Sequence, residues 1–384
     1  MANTLTNLLP DMYEALDVVS RELTGFIPAV NRNSDVARAA IGQTVYVPET
    51  EIPTGANNTP GVTAPDTGDA TVDGIPVAIT KSKHWPVRWN GEETKGLQNA
   101  GTFSTIQADR FYQAMRAAVN EIEVDLWTEA YQSSSRAYGT AGTTPFATAA
   151  DMTDFAGVLR ILEENGAPKN DLQLVLGHSA IGNLRGKQSG LFKVNEAGSS
   201  DMLRNGMTDR IMSMALRHSD AITVHTKGTA TGLDNVGGAA VGDTAISLDG
   251  GDGGSLKAGD VVTFAADSAN KYVVSAGFTA ASGTATLGKP GTQVAITAAD
   301  EMTIGNSYTP NVAFARSAIV LATRAPALPE GGDSAADMTT IVDDRTGLSF
   351  EIALYKQFLQ NVFHVRIAWG FKTVKEAHVA TLMG

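Results

Sequence analysis

Apolar residues recur three and four apart through the segment STIQADRFYQAMRAAVNEIEVDLWTEAYQ, as Ile106, Phe111, Met115, Val119, Ile122, Leu126 and Ala130. That spacing predicts one buried stripe on a helix over 104–132, about 43 Å long at 1.5 Å per residue. Ser104 and Gln107 have the spacing of a capping box. Asp109, Arg116, Glu121, Asp125 and Glu129 fall mainly off the stripe, so the helix reads as a rod with one face against a core. A second amphipathic pattern covers 9–24, with Leu9, Met12, Leu16, Val19 and Leu23 on one side. Pro10 suits its first turn, Asp11 and Glu14 suit its positive end, and Gly25 and Pro28 close it. This narrow face either packs on its own domain or docks on a neighbouring subunit.

Between 43 and 90 the period changes. TVYVP opens a short strand, ETEIPTGANNTPGVTAPDTGDA follows, and VDGIPVAITKSKHWPVRWN reads as a strand with Val77, Ile79, Val87 and Trp89 on its apolar side. Two strands joined by a tip this poor in apolar residues build no core of their own. The pattern predicts a long protruding hairpin, ordered by something outside it. Trp85 and Trp89 at its base are candidate anchors, either on the subunit's own long helix or on a neighbour, or else ordinary core aromatics.

After Gly139–Ala150, Asp151 is placed to cap a helix with Phe155, Val158, Leu159 and Leu162 inward, stopped by Gly166 and Pro168. DLQLVLG reads as a buried strand, HSAIGNLRGK as the start of a helix, and DRIMSMALRHSDAITVH as strand, turn and strand, a mixed α+β alternation. Residues 226–308 differ: fifteen glycines, eight acidic against four basic residues, and the strand runs TAISL, DVVTF, KYVVSAG, TATLG and QVAIT between turn signals. They predict a small barrel or sandwich. It is inserted between AITVH and NVAFARSAIVLAT, which look like strands of one host domain. The end of the chain reads as a meander of SFEIALY, NVFHVRIAWGFKTV and HVATLM, with a turn at Asp344-Arg345-Thr346-Gly347.

Composition narrows the function. Of 384 residues, 43% are hydrophobic and 18% charged, too apolar for a disordered chain. A formal charge of −12 argues against a nucleic-acid grip. The absence of cysteine excludes disulfides and thiol chemistry and fits a reducing compartment. No stretch has the length of a membrane span, and the start lacks the pattern of a signal peptide.

The order of these elements resembles the HK97-like capsid fold, and more closely the P22-type coat protein family with its inserted barrel. Four stretches carry the resemblance: VYVPETE with IPVAITKSKHWPVRW, FYQAMRAAVNEIEVDLW, SLKAGDVVTFA with NKYVVSAGFTA, and GLSFEIALYKQ with HVRIAWGFKTVKEAHVATLM. The resemblance implies an α+β, HK97-like capsid fold: N-arm (1–42), E-loop hairpin with flanking P-domain strands (43–100), P-domain spine helix (101–140), axial domain (141–225 and 309–335), inserted small all-β domain (226–308) and P-domain C-terminal strands (336–384). It implies a major capsid protein that self-assembles as hexamers and pentamers into the icosahedral shell around the double-stranded DNA of a tailed phage. The expected partners are scaffolding and portal proteins and a decoration protein, with no membrane, no cofactor and no sequence-specific DNA contact. The expected location is the virion, assembled in the host bacterial cytoplasm. Because the sequence begins directly at the arm, the scaffold is expected as a separate protein. An encapsulin-like nanocompartment is the alternative on the same fold.

Enzymatic chemistry has one candidate. GHSAIG at 177–182 sits between a strand and a helix like a nucleophile elbow, which would make Ser179 the nucleophile of a serine hydrolase. An elbow needs glycine where Ile181 stands, so His178 and Ser179 read instead as helix-capping residues. The six histidines (84, 178, 218, 225, 364, 378) show no ligand spacing. DGGDGGSLKAGD has Asp260 where a calcium loop needs glutamate, and GLDNVGGAAVGD precedes no helix or lysine. No catalytic, cofactor-binding or metal residue is expected.

Overall fold

In the computed structural model of the chain, the described residues are 23–49, 55, 57–62, 73–99, 103–187, 210–342 and 347–384. The helix read over 9–24 (all but its last two residues), most of the hairpin tip and the turn at 344–346 lie outside them.

In chain order, β1 (Asn31–Ala39) and β2 (Thr44–Glu49) come first. The stretch read as one strand is two, β3 (Asp73–Ala78) and β4 (Lys81–Asn90), broken at Ile79 and Thr80. An unforeseen helix α1 (Gly91–Asn99) follows. Asn90 and Glu93 cap it reciprocally: Glu93 N–H donates to Asn90 Oδ1 at 2.7 Å and Asn90 N–H to Glu93 Oε2 at 3.1 Å. The long helix α2 (Phe103–Gln132) has 30 residues and begins one residue before Ser104, which therefore lies inside it. Next come β5 (Arg136–Tyr138) and α3 (Thr153–Glu164). Asp151 Oδ1 accepts Thr153 N–H at 2.9 Å, one residue ahead of the cap position at Met152. Gly166, at φ +75°, closes α3: its N–H reaches Glu163 O and that of Ala167 reaches Leu162 O.

The chain continues through β6 (Leu172–Leu176), α4 (His178–Lys187), β7 (Arg210–Ile211) and β8 (Met214–His218). AITVH, read as a strand, makes only a single bridge, His225 to Tyr308. Then come β9 (Leu233–Asn235), β10 (Ala245–Asp249), β11 (Val261–Phe264), β12 (Asp267–Ala276), β13 (Gly283–Leu287) and β14 (Glu301–Ile304). QVAIT is not a strand; Ile296 only bridges Ala239. The last strands are β15 (Pro310–Ala315), β16 (Ile319–Pro326), β17 (Asp337–Val342), β18 (Ser349–Gln357), β19 (Gln360–Thr373) and β20 (Val379–Met383).

Three assemblies result. In the first sheet β19 is central: β4 lies along one edge, β18 and then β16 along the other, β17 extends from β18, and β1 runs parallel to β16. The stripe on α2 packs on this sheet, burying Phe111, Met115, Ile122 and Leu126 with Val365, Ile367 and Trp369. The second sheet, in the order β5, β20, β15, β6, β8, β7, is covered by α3 and α4 over Phe155, Leu162, Leu174, Leu184 and Phe314's neighbours Ala313 and Ala315. The closing meander is therefore divided, since β20 leaves β19 for the second sheet. Likewise β15 and β16, read as strands of one host domain, fall in different sheets across a single turn at Arg316–Ala318.

In the third assembly β11, β14, β9, β10, β13 and β12 pair in that order, and β12 returns to β11, so six antiparallel strands close a ring. It has its own core, with Leu233, Ile246, Val262, Phe264, Tyr272 and Leu287 all 2% exposed or less. One pairing, Tyr272 with Arg136, ties the ring to the second sheet.

Candidate assembly surfaces

Strands β2 and β3 pair with each other and, among the described residues, with no third strand. Along β2 exposed residues alternate with half-buried ones, and Tyr46 is 67% exposed. Its root is packed: Val77 and Ile79 are buried among Ala39, Val320, Ala322 and Ala368, with Val45 and Val47 resting against them. Gly370 of β19 allows this approach, because a Cβ there would stand 1.9 Å from Ala78 O. Lys375 also forms an ion pair with Glu49. Between Glu49 and Asp73 only residues 55 and 57–62 are described.

A second projection was not foreseen. Phe358 and Leu359, at the turn between β18 and β19, are 90% and 74% exposed. Leu359 holds φ +53°, a region where glycine or asparagine is favoured. A large apolar residue kept in a strained, solvent-facing turn is a sign of contact with something outside the subunit.

Where the chain enters the described region, one buried side chain joins three elements. Glu123 of α2, 2% exposed, accepts the N–H groups of Gly25 (2.5 Å), Phe26 (2.7 Å) and Ile27 (3.0 Å) and the hydroxyl of Ser219 (2.7 Å). Burial raises its pKa, and the four donors oppose that rise. Gly25 is close-fitting, since a Cβ would meet Val175 at 2.7 Å. Glu123 looks in the sequence like one charge in the run NEIEVD, and its backbone partners lie 96 to 98 residues away.

At the base of the ring, His225 Nε2 lies 3.0 Å from Asp260 Oδ1, and Asp260 also accepts Gly228 and Lys257 N–H groups. Asp260 is thus spent on holding the ring's entry rather than exposed for a cation. Asp252 likewise accepts from Thr231 and Gly254. Among the described residues no three His, Asp or Glu side chains stand close enough to share a metal. No helix among the described residues is long and apolar enough to cross a membrane.

Ser179 does lie between a strand and a helix, in the first turn of α4, exposed to solvent. The imidazole beside it is turned elsewhere: His178 pairs with Asp220 through Nε2 and, 2.8 Å away through Nδ1, with His218. Ile181, where an elbow needs glycine, is buried in the second core. Burial and the neighbouring His178 lower the pKa of His218. Trp85 stacks on Trp369 at 6.3 Å, and Trp89 is 5% exposed with Arg110 over its ring at 4.6 Å. Both tryptophans therefore belong to the packing between β4, β19 and α2, not to a free surface.

No protein-family model matches the sequence, and no curated protein matches it. Among solved structures the chain is similar to one from Mycobacterium phage Che8, at 12% identity, covering 89% of this chain and 84% of that one, with a TM-score of 0.47. It is also similar to the capsid structure of the cyanophage P-SCSP1u (9% identity, 92% and 86% covered, TM-score 0.49). A third is a virus-like particle from Pyrococcus furiosus (8% identity, 96% of each chain, TM-score 0.41). At TM-scores below one half, none of these likenesses assigns a function.

Proposed function

We propose that this chain is the major capsid protein of a tailed bacteriophage, of the HK97-like class, and that its work is to build a closed shell. The observation that carries the reading is the β2–β3 hairpin: a two-stranded ribbon that pairs with no other strand among the described residues and shares a core with the subunit around Val77 and Ile79. Such an element repays its ordering entropy only when a neighbouring copy covers it. The exposed Phe358 and Leu359 support the same reading, as does α2, about 45 Å of rod along which one sheet is laid.

In this proposal residues 1–42 are the arm, 43–100 the E-loop hairpin and flanking strands, 101–140 the spine region, 141–225 with 309–335 the axial domain, and 336–384 the peripheral strands, except that β16 pairs with the peripheral strands and β20 with the axial sheet. Residues 226–308 form the P22-type insert, a role the closed ring supports. Copies associate as hexamers and pentamers with a scaffolding protein, a portal and a decoration protein. The shell forms in the host bacterial cytoplasm and ends in the virion. Double-stranded DNA is enclosed without sequence-specific contact, for which a net charge of −12 is suited. The protein acts through assembly and expansion and uses no cofactor, metal or catalytic residue. Velocity sedimentation followed by negative-stain microscopy of the purified protein, alone and with its host lysate, tests this. Closed shells or hexameric and pentameric rings are expected; a species that stays near 40.1 kDa under both conditions would contradict it.

A further inference from the structure

Two histidines that lie 40 residues apart in the sequence meet at the carboxyl ends of two neighbouring strands. β6 and β8 run parallel with Leu176 opposite His218. His178, two residues past Leu176 and the first residue of α4, therefore stands beside His218, the last residue of β8. His178 Nδ1 and His218 Nε2 are 2.8 Å apart. The other ring nitrogen of His178, Nε2, pairs with the carboxylate of Asp220. The carboxyl ends of adjacent parallel strands are where such sheets commonly hold ligands, and here the sheet brings two imidazoles and a carboxylate to that end.

Asp220 fixes the tautomer of His178. With its N–H at Nε2 donated to the carboxylate, His178 turns a bare lone pair at Nδ1 toward His218. The 2.8 Å gap then holds one proton, on His218 Nε2. A metal ion can take that place once His218 carries its proton on Nδ1 instead, a tautomer change through water that releases no proton. Nitrogens about 2.0–2.1 Å from one ion and at right angles around it stand about 2.9 Å apart, which matches the gap. A tetrahedral ion would need the rings to separate by about half an ångström. The ring centroids lie 4.5 Å apart at 83°, closer than a straight N–H···N bond between ring edges would leave them. The rings are bent off that line, as two rings sharing one ion must be. Burial and His178, with Arg185, lower the pKa of His218 while Asp220 opposes them, so this imidazole is neutral and able to ligate at pH 7.

We propose that His178 and His218 form a two-imidazole site for a divalent transition metal of square-planar or octahedral habit, the Ni2+ or Cu2+ class, with water in its remaining positions. Asp220 is a positioning residue: it meets the nitrogen of His178 that faces away from the ion and holds the ring in place, as carboxylates behind ligating histidines do. The site is open to solvent, since the side chains of His178 and Asp220 are 55% and 69% exposed. A bound ion ties α4 to β8 within one subunit. It plays no part in the assembly proposed above, and the site stands whether or not the chain builds a shell.

Equilibrium dialysis of the untagged, unassembled subunit against Ni2+ tests the site. Wild type is expected to bind one ion per subunit, with affinity falling as pH drops through the imidazole range. His178→Gln and His218→Gln are each expected to lose that ion. Asp220→Asn is expected to weaken it about tenfold. His84→Gln is the control: it removes one ring of a second close pair, 4.7 Å from His364 between centroids, and should bind as wild type does. Mg2+ should not displace Ni2+, because it prefers oxygen ligands. Melting without metal shows that each variant folds, and either histidine variant decides alone if the other does not. A wild type that binds no Ni2+, or a folded histidine variant that binds it as tightly as wild type, overturns the site. Loss of the ion in His84→Gln overturns its placement here. Unchanged affinity in Asp220→Asn overturns the positioning role.

Discussion

The ring of β9 to β14 and the hairpin of β2 and β3 are both short antiparallel β-structure, and they solve the edge problem in opposite ways. In the ring, β12 returns to β11, so no edge is left open and fourteen buried side chains form a core inside it. Among the described residues the hairpin has two unpaired edges and shares a core only at its root. One is complete within the subunit. The other is a half-interface that only further copies complete. What separates them is the number of strands available to pair, since both use β-branched residues and glycine.

The largest expected effect lies in the ring. Phe264→Ala, at 1% exposure, should lower the stability of the unassembled subunit by about 3–5 kcal/mol, read from denaturant unfolding. Comparable stability in that variant would mean that the ring core is not packed as described. Next is the junction of α2 with the chain entry. Glu123→Ala strands three buried N–H groups and the Ser219 hydroxyl and should cost about 3 kcal/mol. Glu123 also sets a pH slope. Its folded pKa is raised above the ordinary 4.5, so above that value the folded chain holds a proton that the unfolded chain has released. Stability should therefore fall as pH rises from about 4.5 through the raised folded pKa and level off above it. Glu123→Gln should flatten that part of the profile.

The projections should behave differently from both. Leu359→Gly relieves a positive φ and should leave the subunit unchanged or more stable by up to about 1 kcal/mol, while reducing shell yield. Smallest of all, Tyr46→Ser should change subunit stability by less than about 0.5 kcal/mol, as exposed positions do, and still impair assembly. A matching loss of subunit stability at Tyr46 would show the hairpin face to be internally packed and remove the contrast.

Much of the ring and rod was legible because burial there is periodic. Ile106 to Ala130 mark one helix face, and β10 to β13 coincide with the strand runs read from the sequence. What was missed had no period to show. β1, NRNSDVARA, is a largely exposed edge strand held by pairing to β16, and so carries no alternation. β9 and β14 have three and four residues, too few to define a pattern. The break between β3 and β4 depends on Gly370, which is distant in sequence. α1 did carry a local signal, Asn90 with Glu93, which went unread beside the tryptophans. The candidate surfaces were the least legible part. Glu123 is defined by what faces it across the fold, and Phe358 and Leu359 by their exposure among the described residues.

Hydrogen exchange on unassembled subunits and on sedimented shells tests the central contrast most directly. Amides of Thr44–Glu49 and Asp73–Ala78 should exchange quickly in the subunit and slow markedly in the shell, while ring amides between Leu233 and Ile304 should be slow and nearly the same in both. Hairpin amides that are equally protected before and after assembly would contradict the account, because the subunit would then be completing the hairpin by itself.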